Sequence, residues 1–189
     1  MFKQKLMVAA IATAGMIAAS SASAQVYVGA SIGESTANLD CSGTTNCKTS
    51  DTAYKFTGGY SFSPVWAVEA SYFDLGKIKG TVDGYNVAIK TSGFDIAAVA
   101  KSQLSADWSM FGKLGVASVK AEDDVTSGFG SGSLSKTSTQ PVLGFGVLYK
   151  MNQNLNLRAD IDTRKVKTID SSQGDYNVTN FSLGVQASF

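Results

Sequence analysis

The most ordered chemistry in this 189-residue chain lies near its end. From Leu155 to Arg164, Asn156, Arg158, Asp160, Asp162 and Arg164 alternate with Leu155, Leu157, Ala159 and Ile161. In an extended segment this puts charges of both signs on one face and apolar groups on the other. Such a face can form ion pairs or line an ion path. Other chemistry is scarce. The chain has no histidine, the usual general base or orienter of hydrolytic sites, and no Ser–Lys pair stands out by spacing to replace one. Cys41 and Cys47 have neither histidines nor a second cysteine pair to complete a zinc-type set, and no cofactor is implied. The acidic run Glu122-Asp123-Asp124 offers carboxylates to a divalent cation, but more simply suits a solvated loop. These residue types point away from an enzyme.

The elements that must position the charges are strands. Glycine is abundant, with 19 residues against two prolines, and Val, Thr, Tyr and Phe are frequent, a composition that favours strands and turns. Alternation predicts strands over Val26–Gly33, Ala53–Phe62, Trp66–Leu75, Phe94–Leu104, Trp108–Lys120, Pro141–Lys150 and Leu155–Arg164, with an eighth running to Phe189. The connections alternate in length. Tight turns fall at Ser63-Pro64, Ser105-Ala106-Asp107 and Asn152-Gln153-Asn154, and long loops at Glu34–Asp51, Gly76–Gly93, Ala121–Thr139 and Lys165–Asp175. Asp83-Gly84 marks a hairpin tip within the second long loop. Eight antiparallel strands with every long connection at one end form the pattern of an up-and-down transmembrane β-barrel.

Charge decides which face sees lipid. A basic side chain at the bilayer midplane costs roughly 2–4 kcal/mol, so the face carrying Lys55, Glu69, Asp95, Lys101, Lys113, Arg158, Asp160, Asp162 and Arg164 is predicted to line the lumen. An eight-stranded barrel is only wide enough for side chains to fill, and charges buried there must pair. A salt-bridged plug is the simpler expectation, an ion pathway the sharper one. Tyr60, Phe62, Trp66, Trp108, Tyr149 and Phe189 stand beside short turns or at the last position, as an interfacial aromatic girdle requires. The competing reading is an ordinary aromatic core in a soluble β-sandwich.

Residues 1–24 read as a secretory signal: Lys3 and Lys5 open it, Leu6 to Ala19 are mostly apolar, and Ala22-Ser23-Ala24 fits cleavage after Ala24. One barrel domain over 25–189 is then expected. Sixteen basic residues less Lys3 and Lys5, against fifteen acidic ones, leave it a net charge of −1, which gives no electrostatic case for nucleic acid. Export favours a Cys41–Cys47 disulfide over two free thiols, a local staple worth about 2 kcal/mol.

Several segments resemble the OmpA-like family of small outer-membrane β-barrels. Tyr27-Val28-Gly29-Ala30-Ser31-Ile32-Gly33 is similar to its opening strand, and Phe111-Gly112-Lys113-Leu114-Gly115 to its fifth. Gly59-Tyr60-Ser61-Phe62-Ser63-Pro64 with Trp66-Ala67-Val68-Glu69-Ala70-Ser71-Tyr72-Phe73 resembles the hairpin between its second and third strands. Phe189 resembles the terminal signal read by the barrel-assembly machinery. The resemblance implies an integral protein of the Gram-negative outer membrane, closest to single-domain, opacity-type members, with envelope, adhesion or serum-resistance roles. No peptidoglycan-binding domain follows the barrel, so no wall-tethering role is carried over. The expected partners are outer-membrane lipid, the assembly machinery and an extracellular ligand at the loops, and a monomer is expected. A small porin-like channel is the alternative function.

Overall fold

The computed structural model describes residues 25–39, 45–82, 85–127, 130–167 and 176–189. Nine strands are present among them: β1 (Gln25–Ala37), β2 (Thr45–Lys48), β3 (Ser50–Ser61), β4 (Trp66–Val82), β5 (Tyr85–Gln103), β6 (Trp108–Ser127), β7 (Gly130–Lys150), β8 (Leu155–Val166) and β9 (Tyr176–Ser188). All but β2 form one antiparallel ring. β1 pairs with β3 on one side and β9 on the other, and β4 pairs with β5, which closes the cylinder. β2 is a short strip on the upper part of β4. The fold is an all-β, eight-stranded antiparallel barrel.

The alternation seen in the sequence sets the two surfaces. On β8, Arg158, Asp160, Asp162, Arg164 and Val166 are buried while Leu157 and Ile161 are exposed. On β9, Asn180, Ser182, Gln186 and Ser188 face inward and Phe181, Leu183 and Val185 outward. A soluble sandwich would bury its apolar face. Here the apolar residues lie outside and the charges inside, an inversion that only a lipid solvent makes favourable.

Each short turn is held by a side chain that opens it. The Trp66 amide donates to Ser63 Oγ at 2.9 Å, the Trp108 amide to Ser105 Oγ at 3.2 Å, and the Leu155 amide to Asn152 Oδ1 at 2.9 Å. Ser and Asn suit these places because their side chains mimic a backbone turn. Beside the turns, Tyr60, Phe62, Trp66, Trp108 and Tyr149 point outward, and Trp108 packs on Tyr149 with ring centroids 4.9 Å apart. The Phe189 amide donates to the Val26 carbonyl at 2.9 Å, so the last residue extends the β1–β9 seam.

The opposite end departs from the sequence expectation. The described residues of Gly76–Gly93 and Ala121–Thr139 are paired strand rather than loop: β4 and β5 run up to Val82 and Tyr85, and β6 and β7 to Ser127 and Gly130. In the first connection, β1 continues to Ala37 and β3 begins at Ser50. Above the bilayer the outer face meets water, so the polar–apolar contrast that marks a membrane strand fades while the backbone ladder continues. The Asp83-Gly84 tip lies outside the described residues, as do Cys41 and the predicted signal with Ala24.

Where β4 leaves the barrel it bulges at Gly76, whose φ of 74° is left-handed. A Cβ there would lie 2.7 Å from Asp51 Oδ2, so glycine is required. The Lys77 amide donates to Asp51 Oδ2 at 2.8 Å. This hydrogen bond is the main cause that holds the Asp51 carboxyl below its ordinary value of 3.8. A depressed folded value makes the contribution fully present above 3.8 and lost as pH falls through the lowered value. Protection of the Lys77 amide from hydrogen exchange should therefore drop on acidification below pH 3.8. In Asp51→Asn it should be weak at every pH; unchanged protection in that variant would refute the assignment.

Candidate functional site: the lumen

The charges in the lumen come from five strands. β3 supplies Lys55, β4 Glu69, β5 Asp95 and Lys101, β6 Lys113, and β8 Arg158, Asp160, Asp162 and Arg164. All nine side chains project inward. Eight are buried and balance as four cations against four carboxylates; Lys101, nearer the short-turn end, is half-buried.

Arg158 is the hub. Its guanidinium meets Glu69 twice, Nη1 to Oε1 at 2.7 Å and Nη2 to Oε2 at 3.0 Å, the bidentate geometry that makes Arg–carboxylate pairs strong. Its Nε donates to Asp160 Oδ2 at 3.2 Å and its Nη1 also to Gln186 Oε1 at 3.1 Å. Glu69 accepts a further bond from the Tyr27 hydroxyl at 2.9 Å. Lys55 bonds Asp160 and, at 2.8 Å, Asp162. Asp162 also meets Lys113 at 2.8 Å and Arg164 at 3.6 Å, and Arg164 lies 3.6 Å from Asp95. The charges thus form one chain of contacts across the lumen from Glu69 to Asp95. Their neutrality matters energetically, because an unpaired ion there would carry a desolvation cost of several kcal/mol.

The charge pattern alone did not reveal the aromatic part of the interior. Tyr27, Phe73 and Phe111 are buried inside the barrel. Each stands directly across the ladder from a glycine: Tyr27 from Gly59, Phe73 from Gly93, Phe111 from Gly146. A Cβ at Gly59 would lie 2.1 Å from the Tyr27 ring, and one at Gly146 2.4 Å from the Phe111 ring, so the glycines make the space these rings occupy. Each ring in turn carries a cation over its face: Lys101 on Tyr27 at 4.3 Å, Arg158 on Phe111 at 4.4 Å, Arg164 on Phe73 at 4.0 Å. Inward glycines facing an aromatic in register are the sequence signal that could have found them.

Apolar residues also pack inside the barrel toward the outer end, which the charge pattern does not predict. Ala37, Ala53, Phe73, Leu75, Val119, Val142, Val166 and Val178 belong to one buried cluster there. A second, of Tyr27, Ala67, Val99, Phe111 and Leu148, sits toward the short-turn end.

The remaining candidates are placed as follows. The acidic run lies on β6 rather than in a loop; Glu122 bonds Lys120 at 2.5 Å, a contact that holds its carboxyl below the ordinary range. No metal-binding group of acidic, Cys or His residues occurs among the described residues. Cys47 is on β2, while its predicted partner Cys41 lies outside the described residues.

Comparison with known proteins accords with this geometry. A family model described as "Outer membrane protein beta-barrel domain" matches residues 6–189. The crystal structure of Ail, the attachment invasion locus protein of Yersinia pestis, is similar in fold, with a TM-score of 0.61 and 18% identity over 88% of this chain and 99% of that one. Neisserial surface protein A gives 0.61 and 16% identity, covering 87% and 97%. OprG from Pseudomonas aeruginosa gives 0.59 and 17%, covering 89% and 96%. A search of curated proteins finds no match. With its lipid-facing apolar wall, ion-paired interior and matched length, the chain belongs to the outer membrane protein β-barrel domain family and is an integral outer-membrane protein.

Proposed function

We propose that this protein is a non-enzymatic envelope barrel with a structural or surface-interaction role, in which the lumen is a plug and recognition belongs to the outer end. The observation that carries the reading is the four-against-four network centred on Arg158 and Asp162, with an apolar cluster above it. An ion passing through would have to break several buried pairs and then cross apolar side chains. The outer end offers more for binding. β4 to β7 rise as a sheet beyond the ring, and among the described residues β7 pairs with β8 only from Val142 downward. The outer part of β7, rich in Ser and Thr, would supply hydrogen-bonding side chains to an extracellular partner. The similarity to an attachment invasion locus protein and a surface protein is in keeping with such a role.

Biogenesis in this reading uses the segment before Gln25 as a cleaved signal and Phe189 as the contact for the assembly machinery. A Cys41–Cys47 bond staples the first outer connection, and the barrel works as a monomer. Single-channel recording of refolded protein in a planar bilayer tests the plug, with folding confirmed by its heat-shifted gel band. Folded protein without conductance is expected. Reproducible steps altered by Lys101→Ala or Arg158→Ala would replace the scaffold by a small porin-like channel.

A further inference from the structure

The short-turn end of the lumen contains a feature the plug does not use. Below Tyr27 and Leu148 the barrel opens into a cavity of about 240 Å3, walled by residues at the strand ends and by the Ala106-Asp107 turn. Tyr27, Leu148 and Gln186 line its inner end, where Gln186 accepts a hydrogen bond from Arg158. Its wall is made of neutral hydrogen-bonding groups, Ser61, Gln103, Asn156 and Gln186 among them, with two lysines, Lys101 and Lys150, and one acid, Asp107.

The charge count singles out Lys101. The eight buried charges above it cancel, whereas Lys101 makes no ion pair among the described residues. Its ammonium donates to Ser61 Oγ at 2.8 Å and rests 4.3 Å from the centroid of the Tyr27 ring. An ammonium has three donors, so two remain for a ligand in the cavity. The Tyr27 ring fixes the cation from above, and its half-buried position inside the cavity leaves its charge less screened than on an open surface. A fixed cation at the inner end of a cavity lined with neutral donors and carrying a net positive charge selects for small oxygen anions.

We propose that this vestibule binds a small oxyanion, a carboxylate or phosphate group of a solute on the short-turn side. Lys101 is its principal cation, Lys150 a second charge at the rim, and Ser61, Gln103 and Asn156 supply neutral hydrogen bonds. The site is distinct from the plug and requires no conduction, so it stands or falls separately from the bilayer recording.

The test is an NMR titration of the full refolded barrel in lipid nanodiscs with sodium phosphate and, separately, sodium acetate. Ionic strength is held constant with sodium chloride. Saturable shifts are expected for the amides of Ser61, Lys101 and Gln103 with at least one of the two anions, and the anion giving the tighter curve identifies the class. Lys101→Gln should weaken binding by about tenfold or more, the loss of one charge-assisted hydrogen bond. Lys150→Gln should weaken it less, and Lys120→Gln on the outer sheet not at all. The heat-shifted gel band checks that each variant is folded. The absence of saturation with both anions, or equal affinity in folded Lys101→Gln, would overturn the proposal.

Discussion

Arg158→Met is expected to destabilise the barrel by about 3–5 kcal/mol, the range for removing one partner of a buried ion pair. Methionine preserves much of the side-chain volume, so the loss is electrostatic. Glu69 would keep only the Tyr27 hydroxyl as partner, and Asp160 would rely on Lys55 alone. The Phe111 ring would lose the cation on its face. Urea titration of protein folded in phospholipid vesicles reads the effect through Trp66 and Trp108, both on the outer surface beside the short turns. The double variant Arg158→Met with Glu69→Gln should recover part of the loss, because the stranded carboxylate is gone and a neutral amide replaces it. A single variant within about 1 kcal/mol of the parent, which is what an exposed pair would give, would mean that the network fills space without holding the fold.

That hub was only half legible in the sequence. Arg158, Asp160, Asp162 and Arg164 announce themselves by alternation on a single strand, and the cost of charge in lipid assigns their direction. The pairing of Arg158 with Glu69, 89 positions away, is set by ring closure and stagger, which local periodicity does not encode. Lys101 shares the inward face of the other charges yet stands apart from their network, because depth along the barrel depends on register rather than on face. The buried aromatics were hidden for a related reason. Tyr27 and Phe111 carry no charge to mark them as part of the interior, and the glycines that make room for them are brought opposite only by register. The outer parts of β4 to β7 were missed because periodicity is a record of contrast between two solvents. Where both sides of a strand meet water, Ser and Thr occupy either face and the record stops, although the backbone pairing continues. What could be read well, the tight turns and the lipid-facing wall, depends on local side-chain chemistry or on an unbroken period of two.

The lipid-facing wall supplies the other large effect. Leu114 and Leu134 are 63% and 67% exposed, so by exposure alone they are the same kind of residue. Their depth differs. Leu114 is six positions along β6 from Trp108, a rise of about 20 Å along the strand and about 15 Å along the membrane normal at a tilt near 40°. That places it close to the bilayer midplane. Leu134 stands opposite Asp123, fifteen positions from Trp108, which by the same geometry is roughly 38 Å above the girdle and beyond the apolar band. Leu114→Arg should therefore cost about 2–4 kcal/mol, while Leu134→Arg should stay within about 0.5 kcal/mol of the parent. Both are read by the same vesicle unfolding titration. In a water-soluble sheet two equally exposed leucines would tolerate arginine equally, so similar costs at the two sites would remove the argument that the outer wall of β6 faces lipid. A large penalty at Leu114 alone would map the membrane onto the barrel by energy rather than by pattern.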